Sequence, residues 1–82
     1  MSQVRKILLC DDDADMREAL SEQLALHEEF DTSTVDSATK AIQATKADHY
    51  DLLVMDVGLP DMDGREAVKI MRKGGFKSPI IM

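Results

Sequence analysis

Short unbroken apolar runs alternate along the chain with stretches whose apolar residues recur at helical spacing. The first run, Ile7, Leu8, Leu9 and Cys10, is partly β-branched and halted by Asp11, Asp12 and Asp13, the pattern of a strand covered on both faces. Asp13 is placed to cap a helix in which Met16, Leu20 and Leu24 form an apolar stripe, with Arg17, Glu18, Glu22 and Gln23 around the rest of the wheel, ending near His27. Residues 30–35 alternate and are rich in β-formers, which predicts a second strand at a sheet edge. Ser37 then caps a second helix whose inner face carries Ala38, Ala41, Ile42 and Thr45, and which ends around Asp48.

Residues 50–57 hold Leu52, Leu53, Val54 and Met55 without a break, a third strand of the doubly covered kind, closed by an aspartate. A loop containing Pro60, Asp61 and Asp63 leads to a third helix over residues 65–73 that is expected to bury Ala67, Ile70 and Met71 and to stop at Gly74 and Gly75 in a left-handed turn. Pro79 opens a last apolar run, Ile80, Ile81 and Met82. Strands and helices that alternate with short connections predict an α/β protein, a doubly wound parallel sheet with right-handed crossovers. Ligands of such sheets bind beyond the carboxyl ends of the strands. Asp11, Asp12 and Asp56 all fall there.

Composition excludes several alternatives. The 82 residues carry 10 basic against 16 acidic side chains, a net charge of −6, with no basic cluster to displace counterions from a nucleic acid. No run approaches the roughly 18 consecutive apolar residues of a membrane span, and the start over residues 1–6 lacks the apolar segment of a signal peptide. A soluble, cytoplasmic domain is expected. The single cysteine, Cys10, forms no internal disulfide and reads as core. Met16, Met55 and Met71 read as core filling too.

If the first and third strands are neighbours, Asp11, Asp12 and Asp56 converge, and their repulsion demands a proton or a cation. A hard divalent ion with oxygen ligands answers it most directly, and Mg²⁺ keeps waters that a phosphoryl group can replace. An aspartate beside such an ion can itself act as nucleophile and take phosphate as a mixed anhydride. Asp61 and Asp63 sit in a turn and read as turn or capping residues. An EF-hand reading through Asp11, Asp13, Asp15 and Glu22 fails because Met16 stands where that loop needs glycine. His27 and His49 have no metal-ligand spacing.

The segments ILLCDDDADMR (residues 7–17) and LLVMDVGLPDMDG (residues 52–64) resemble the receiver domains of two-component response regulators. The resemblance covers the whole chain and implies a flavodoxin-like sheet of strand order 2-1-3-4. It implies that Asp56 is the phosphoacceptor, that Asp12 ligates Mg²⁺ directly and Asp11 through water or as its partner, and that the backbone carbonyl of Gly58 is a further ligand. In such domains the side chain two positions after the acceptor influences how fast phosphate is lost, and glycine leaves that place empty. The implied partner is a sensor histidine kinase or a phosphotransfer protein, and the implied role is that of a signalling domain, not an enzyme.

Receiver domains resemble one another in having five strands, a Ser or Thr after the fourth and a Lys after the fifth. Against that pattern the sequence reads as the N-terminal part of a receiver over residues 1–82, truncated within the fourth strand and lacking the fourth helix, the fifth strand and the fifth helix. The alternative expectation is a phosphorylation-incompetent fragment that self-associates through an exposed sheet edge. An aspartate-nucleophile phosphatase, with Asp11 and Asp13 as its acid pair, is the weaker alternative, since Asp15 stands where that family expects threonine.

Overall fold

The computed structural model describes residues 3–82; Met1 and Ser2, the first positions of the start read for a leader, lie outside the described residues. The run that aspartates terminate forms β1 (Arg5–Cys10), followed by α1 (Ala14–Ala25), β2 (Phe30–Val35), α2 (Ala38–Ala47), β3 (Leu52–Met55), α3 (Gly64–Lys73) and β4 (Ile80–Ile81). All pairings within the sheet are parallel, in the order β2-β1-β3-β4, so β2 is an edge as its alternating sequence predicts. The chain steps one way from β1 to β2 and back past β1 to β3. With right-handed crossovers this reversal puts α1 on one face and α2 and α3 on the other.

The register of β1 on β3 sets Leu8 opposite Leu53 and Cys10 opposite Met55. These four side chains point to one face, where they form a core with Ala38 and Ala41 of α2 and Ala67 and Met71 of α3. Small alanines on the helices let their backbones approach the sheet, and the larger residues come from the strands and from Met71 of α3. Ile7 and Leu9, which point the other way, are also buried. The strands are therefore covered on both faces, which explains why their sequences are continuous apolar runs.

Each helix begins at a residue that the sequence marks. Asp13 accepts from the amides of Asp15 at 3.0 Å and Met16 at 3.2 Å, Ser37 from Lys40 at 3.2 Å, and Asp63 from Arg65 at 2.8 Å. At the end of α3, the Gly75 amide donates to the Arg72 carbonyl and the Phe76 amide to the Met71 carbonyl, the paired bonds of a Schellman stop. Only Gly75 is left-handed, with φ of 102°, whereas Gly74 keeps a helical backbone at φ −78°.

Three expectations need correction. The inward face of α1 is Arg17, Ser21 and Leu24, all half-buried, while Met16 is 49% and Leu20 37% exposed. The cause is local: Arg17 turns inward to donate to the Asp11 carbonyl at 2.8 Å, and α1 packs mainly over the polar edge strand β2. Met16 is thus not core filling, although Met55 and Met71 are. In α3, Ile70 is 42% exposed and the buried stripe is Gly64, Ala67 and Met71. Finally, β3 is Leu52–Met55 and not the whole of residues 50–57, because pairing ends with Cys10 opposite Met55 and the chain turns away beyond Asp56.

Candidate cation and phosphoacceptor site

The register that builds the core also builds the site. With Cys10 and Met55 paired, the next residue on each strand emerges at the same rim, and the Asp56 amide donates to the Cys10 carbonyl at 2.9 Å, holding the two strand ends together. One carboxylate oxygen from each of Asp11, Asp12 and Asp56 lies within 4.8 Å of the others. Asp11 and Asp56 are half-buried and Asp12 is exposed, so the cluster opens to solvent on one side. The three acids that the sequence assigns to the strand ends are therefore brought together.

Neighbouring bonds orient these side chains. Oδ1 of Asp11 accepts from the Asp13 amide at 2.9 Å, and Oδ1 of Asp56 accepts from the Gly58 amide at 3.3 Å. Asp13 itself is spent on capping α1 and does not join the cluster, which removes the acid pair that a phosphatase reading needs. Around Gly58 a β-carbon would meet nothing within 4 Å. The loop that carries it is closed at its base by the Gly64 amide donating to the Val57 carbonyl at 2.9 Å and by an antiparallel bridge between Gly58 and Asp63.

A cation fits this donor set. Three carboxylates supply hard oxygens and three negative charges, and their open side leaves room for water. An octahedral ion with oxygens at about 2.1 Å holds them no more than about 4.2 Å apart. The observed spread, within 4.8 Å, is close to that span.

Two flanking acids have other roles. Asp61 reaches across to α2, accepting from the amides of Ala38 at 2.9 Å and Thr39 at 2.8 Å and from the Thr39 hydroxyl at 2.6 Å. The Thr39 hydroxyl, with these amides, pulls the Asp61 carboxyl down to about 2. Asp63 is held down to about 2 by the Arg65 guanidinium and amide. Turn and capping roles are correct for both, but Asp61 caps a helix 22 residues away, a link no local pattern signals. Beneath the site, burial pushes the Cys10 thiol up to about 12, so it stays an inert neutral hydrophobe.

Sequence reasoning gave Gly64 no more than a place in the loop. An added β-carbon there would stand 2.6 Å from the Asp56 carbonyl oxygen and 3.0 Å from the Val57 α-carbon. Arg17, seated on the Asp11 carbonyl, is the other residue that supports the rim unannounced.

Comparison with known proteins agrees with this geometry. The model of the family described as "Response regulator receiver domain" matches residues 7–82. The chain is 33% identical over 82 residues to the Escherichia coli regulatory protein AtoC, covering all of this chain and 18% of AtoC. It is 31% identical over 77 residues to the cell cycle response regulator CtrA of Brucella ovis, covering 94% of this chain and 33% of CtrA. The chain thus spans a third or less of these relatives. Among solved structures, the response regulator TrrA of Thermotoga maritima, in complex with Mg²⁺ and BeF, superposes with a TM-score of 0.88 at 29% identity, over 96% of this chain and 68% of that one.

Proposed function

Since the chain belongs to the response regulator receiver domain family of two-component systems, we propose that it takes a phosphoryl group on Asp56 from a histidine kinase or phosphotransfer protein, with Mg²⁺ held by Asp11, Asp12, Asp56 and the Gly58 carbonyl. The observation that carries this reading is the meeting of Asp11, Asp12 and Asp56 at one rim of the sheet. The relative TrrA is known in complex with Mg²⁺ and BeF, which supports the same ligand chemistry here.

In the proposed reaction a carboxylate oxygen of Asp56 attacks the phosphorus of a phosphohistidine. The new O–P bond forms as the N–P bond breaks, and the donor imidazole leaves with the electron pair and takes up a proton. The product on Asp56 is an acyl phosphate. Held by Asp11, Asp12 and Asp56, a divalent cation would supply positive charge to offset the negative charge on the transferring oxygens. The chain's own part is positional: the Cys10 carbonyl fixes the backbone of Asp56, and the Gly58 amide holds Oδ1 of its carboxylate. Such a domain signals through its phosphorylated state and does not turn over substrate. The reading carries with it a cytoplasmic setting; among the described residues no helix is long and apolar enough to cross a membrane.

The test uses Mg²⁺ with beryllium fluoride, and separately a small-molecule acyl phosphate donor, followed by intact mass and NMR. The expected result is an adduct on the wild-type chain that Asp56→Asn abolishes. An adduct that persists in Asp56→Asn, or none on the wild type, would remove the acceptor assignment.

A further inference from the structure

The loop that carries Gly58 is held at its base by the Gly64 amide on the Val57 carbonyl and by the bridge between Gly58 and Asp63. The Gly58 amide donates to Oδ1 of Asp56; the Gly58 carbonyl, on the next peptide, accepts no hydrogen bond among the described residues. Gly58 is exposed, has no side chain and would have free space around one, so its own packing does not decide where its carbonyl points. The three residues that follow behave differently. Leu59 is buried in the core at 8% exposure, its backbone is restricted by the following proline, and Pro60 has its φ locked. Asp61 then ends this stiff arm with three hydrogen bonds to Ala38 and Thr39 at the start of α2.

We infer that Asp61 is a positioning residue for the cation site: by fastening the arm Leu59, Pro60, Asp61 to α2, it fixes the peptide of Gly58 against the acid cluster. The inference rests on the proposed role of the Gly58 carbonyl as a ligand. α2 already has its own cap, since Ser37 accepts from the Lys40 amide at 3.2 Å. Asp61 satisfies the amides of Ala38 and Thr39, which Ser37 does not, and in doing so joins the loop after β3 to the start of the helix that precedes β3. A cap needs only an acceptor. A cap that comes from the acceptor loop also constrains that loop.

The experiment is a Mg²⁺ titration of the folded chain followed by amide NMR shifts, with thermal stability measured alongside. Four variants are compared: Asp61→Ala, Asp61→Asn, Thr39→Val and Ser37→Ala. Asp61→Ala is expected to weaken Mg²⁺ roughly tenfold, in the range found when residues supporting metal ligands are removed. Asp61→Asn, which keeps an acceptor oxygen, restores part of the affinity, and Thr39→Val, which removes one anchor from the helix side, loses affinity to a smaller extent. Ser37→Ala weakens the start of α2 without touching the loop, and keeps wild-type affinity at reduced stability. If Asp61→Ala and Thr39→Val remain folded and bind Mg²⁺ like wild type, Asp61 is a helix cap and nothing more. A wild-type chain that binds no Mg²⁺ overturns this inference together with the reading beneath it, and the wild-type titration alone tells that outcome apart.

Discussion

Gly58, in the loop after β3, and Gly64, the first residue of α3, sit six positions apart and face opposite demands. At Gly64 any side chain would drive into backbone, with the Asp56 carbonyl oxygen 2.6 Å from the added carbon. Backbone at the junction of a strand and a helix cannot give way as a flexible side chain can. Gly64→Ala is therefore expected to cost about 1–3 kcal/mol in urea denaturation, the usual range for overpacking. The peptide pushed aside belongs to Asp56, so the same variant should also weaken the beryllium fluoride adduct. Gly58→Ala, placed in open space, should stay within about 0.5 kcal/mol of wild type. The contrast between the two glycines distinguishes a packing requirement from mere loop composition.

At the scale of elements, the helices are held at their beginnings by acids, and this gives stability a definite pH dependence. Asp61 at the start of α2 and Asp63 at the start of α3 have carboxyls pulled from the ordinary 3.8 down to about 2. Unfolding returns them to the ordinary value, so the unfolded chain binds more protons in that window. Their contribution is complete above 3.8 and disappears as the pH falls through about 2. Asp48 and Asp51, held low by bonds with the Lys6 side chain and amide respectively, and Asp36, held low by Lys40, act in the same direction. Thermal unfolding followed by circular dichroism should show the midpoint dropping between about pH 4 and pH 2, with a shallower drop in Asp63→Asn. The caps at Asp13, Ser37 and Asp63 were legible in the sequence because each serves the helix that follows it. The inward face of α1 was not: Met16 and Leu20 have the right spacing, yet the neighbouring stripe of Arg17, Ser21 and Leu24 turns toward the sheet. Periodicity measures a helix's repeat and cannot see that a charged residue is drawn inward by a carbonyl at a strand end. Ile70 escaped for a related reason, since Gly64, Ala67 and Met71 already fill the contact between α3 and the sheet.

For the whole molecule, the decisive quantity is charge set against topology. A chain of net charge −6 gathers three carboxylates at one rim, an arrangement that a bound cation would stabilise. Mg²⁺ that binds the folded chain alone should raise its stability by about 2.7 kcal/mol at one hundred times the dissociation constant, measured as a shift in the denaturation midpoint. Chelation should reverse the gain, NaCl at equal ionic strength should not reproduce it, and Asp12→Ala should remove it. The central strands and the location of this rim were legible because doubly covered strands announce themselves as apolar runs and their last residues name the ligand end of the sheet, whereas the strand order came only with the family resemblance. The loop's attachment to α2 was not, because it depends on a bond between distant residues, Asp61 and Thr39. The pairing of Cys10 with Met55 carries one more consequence. Adjacent strands lie about 4.8 Å apart whatever length of chain is looped out between them. Insertions in the turns before β2 or after α2 would thus leave the acids in place, whereas losing one residue inside β3 would send residue 56 to the opposite face of the sheet. The site's tolerance to change is governed by strand phase and not by distance along the polypeptide.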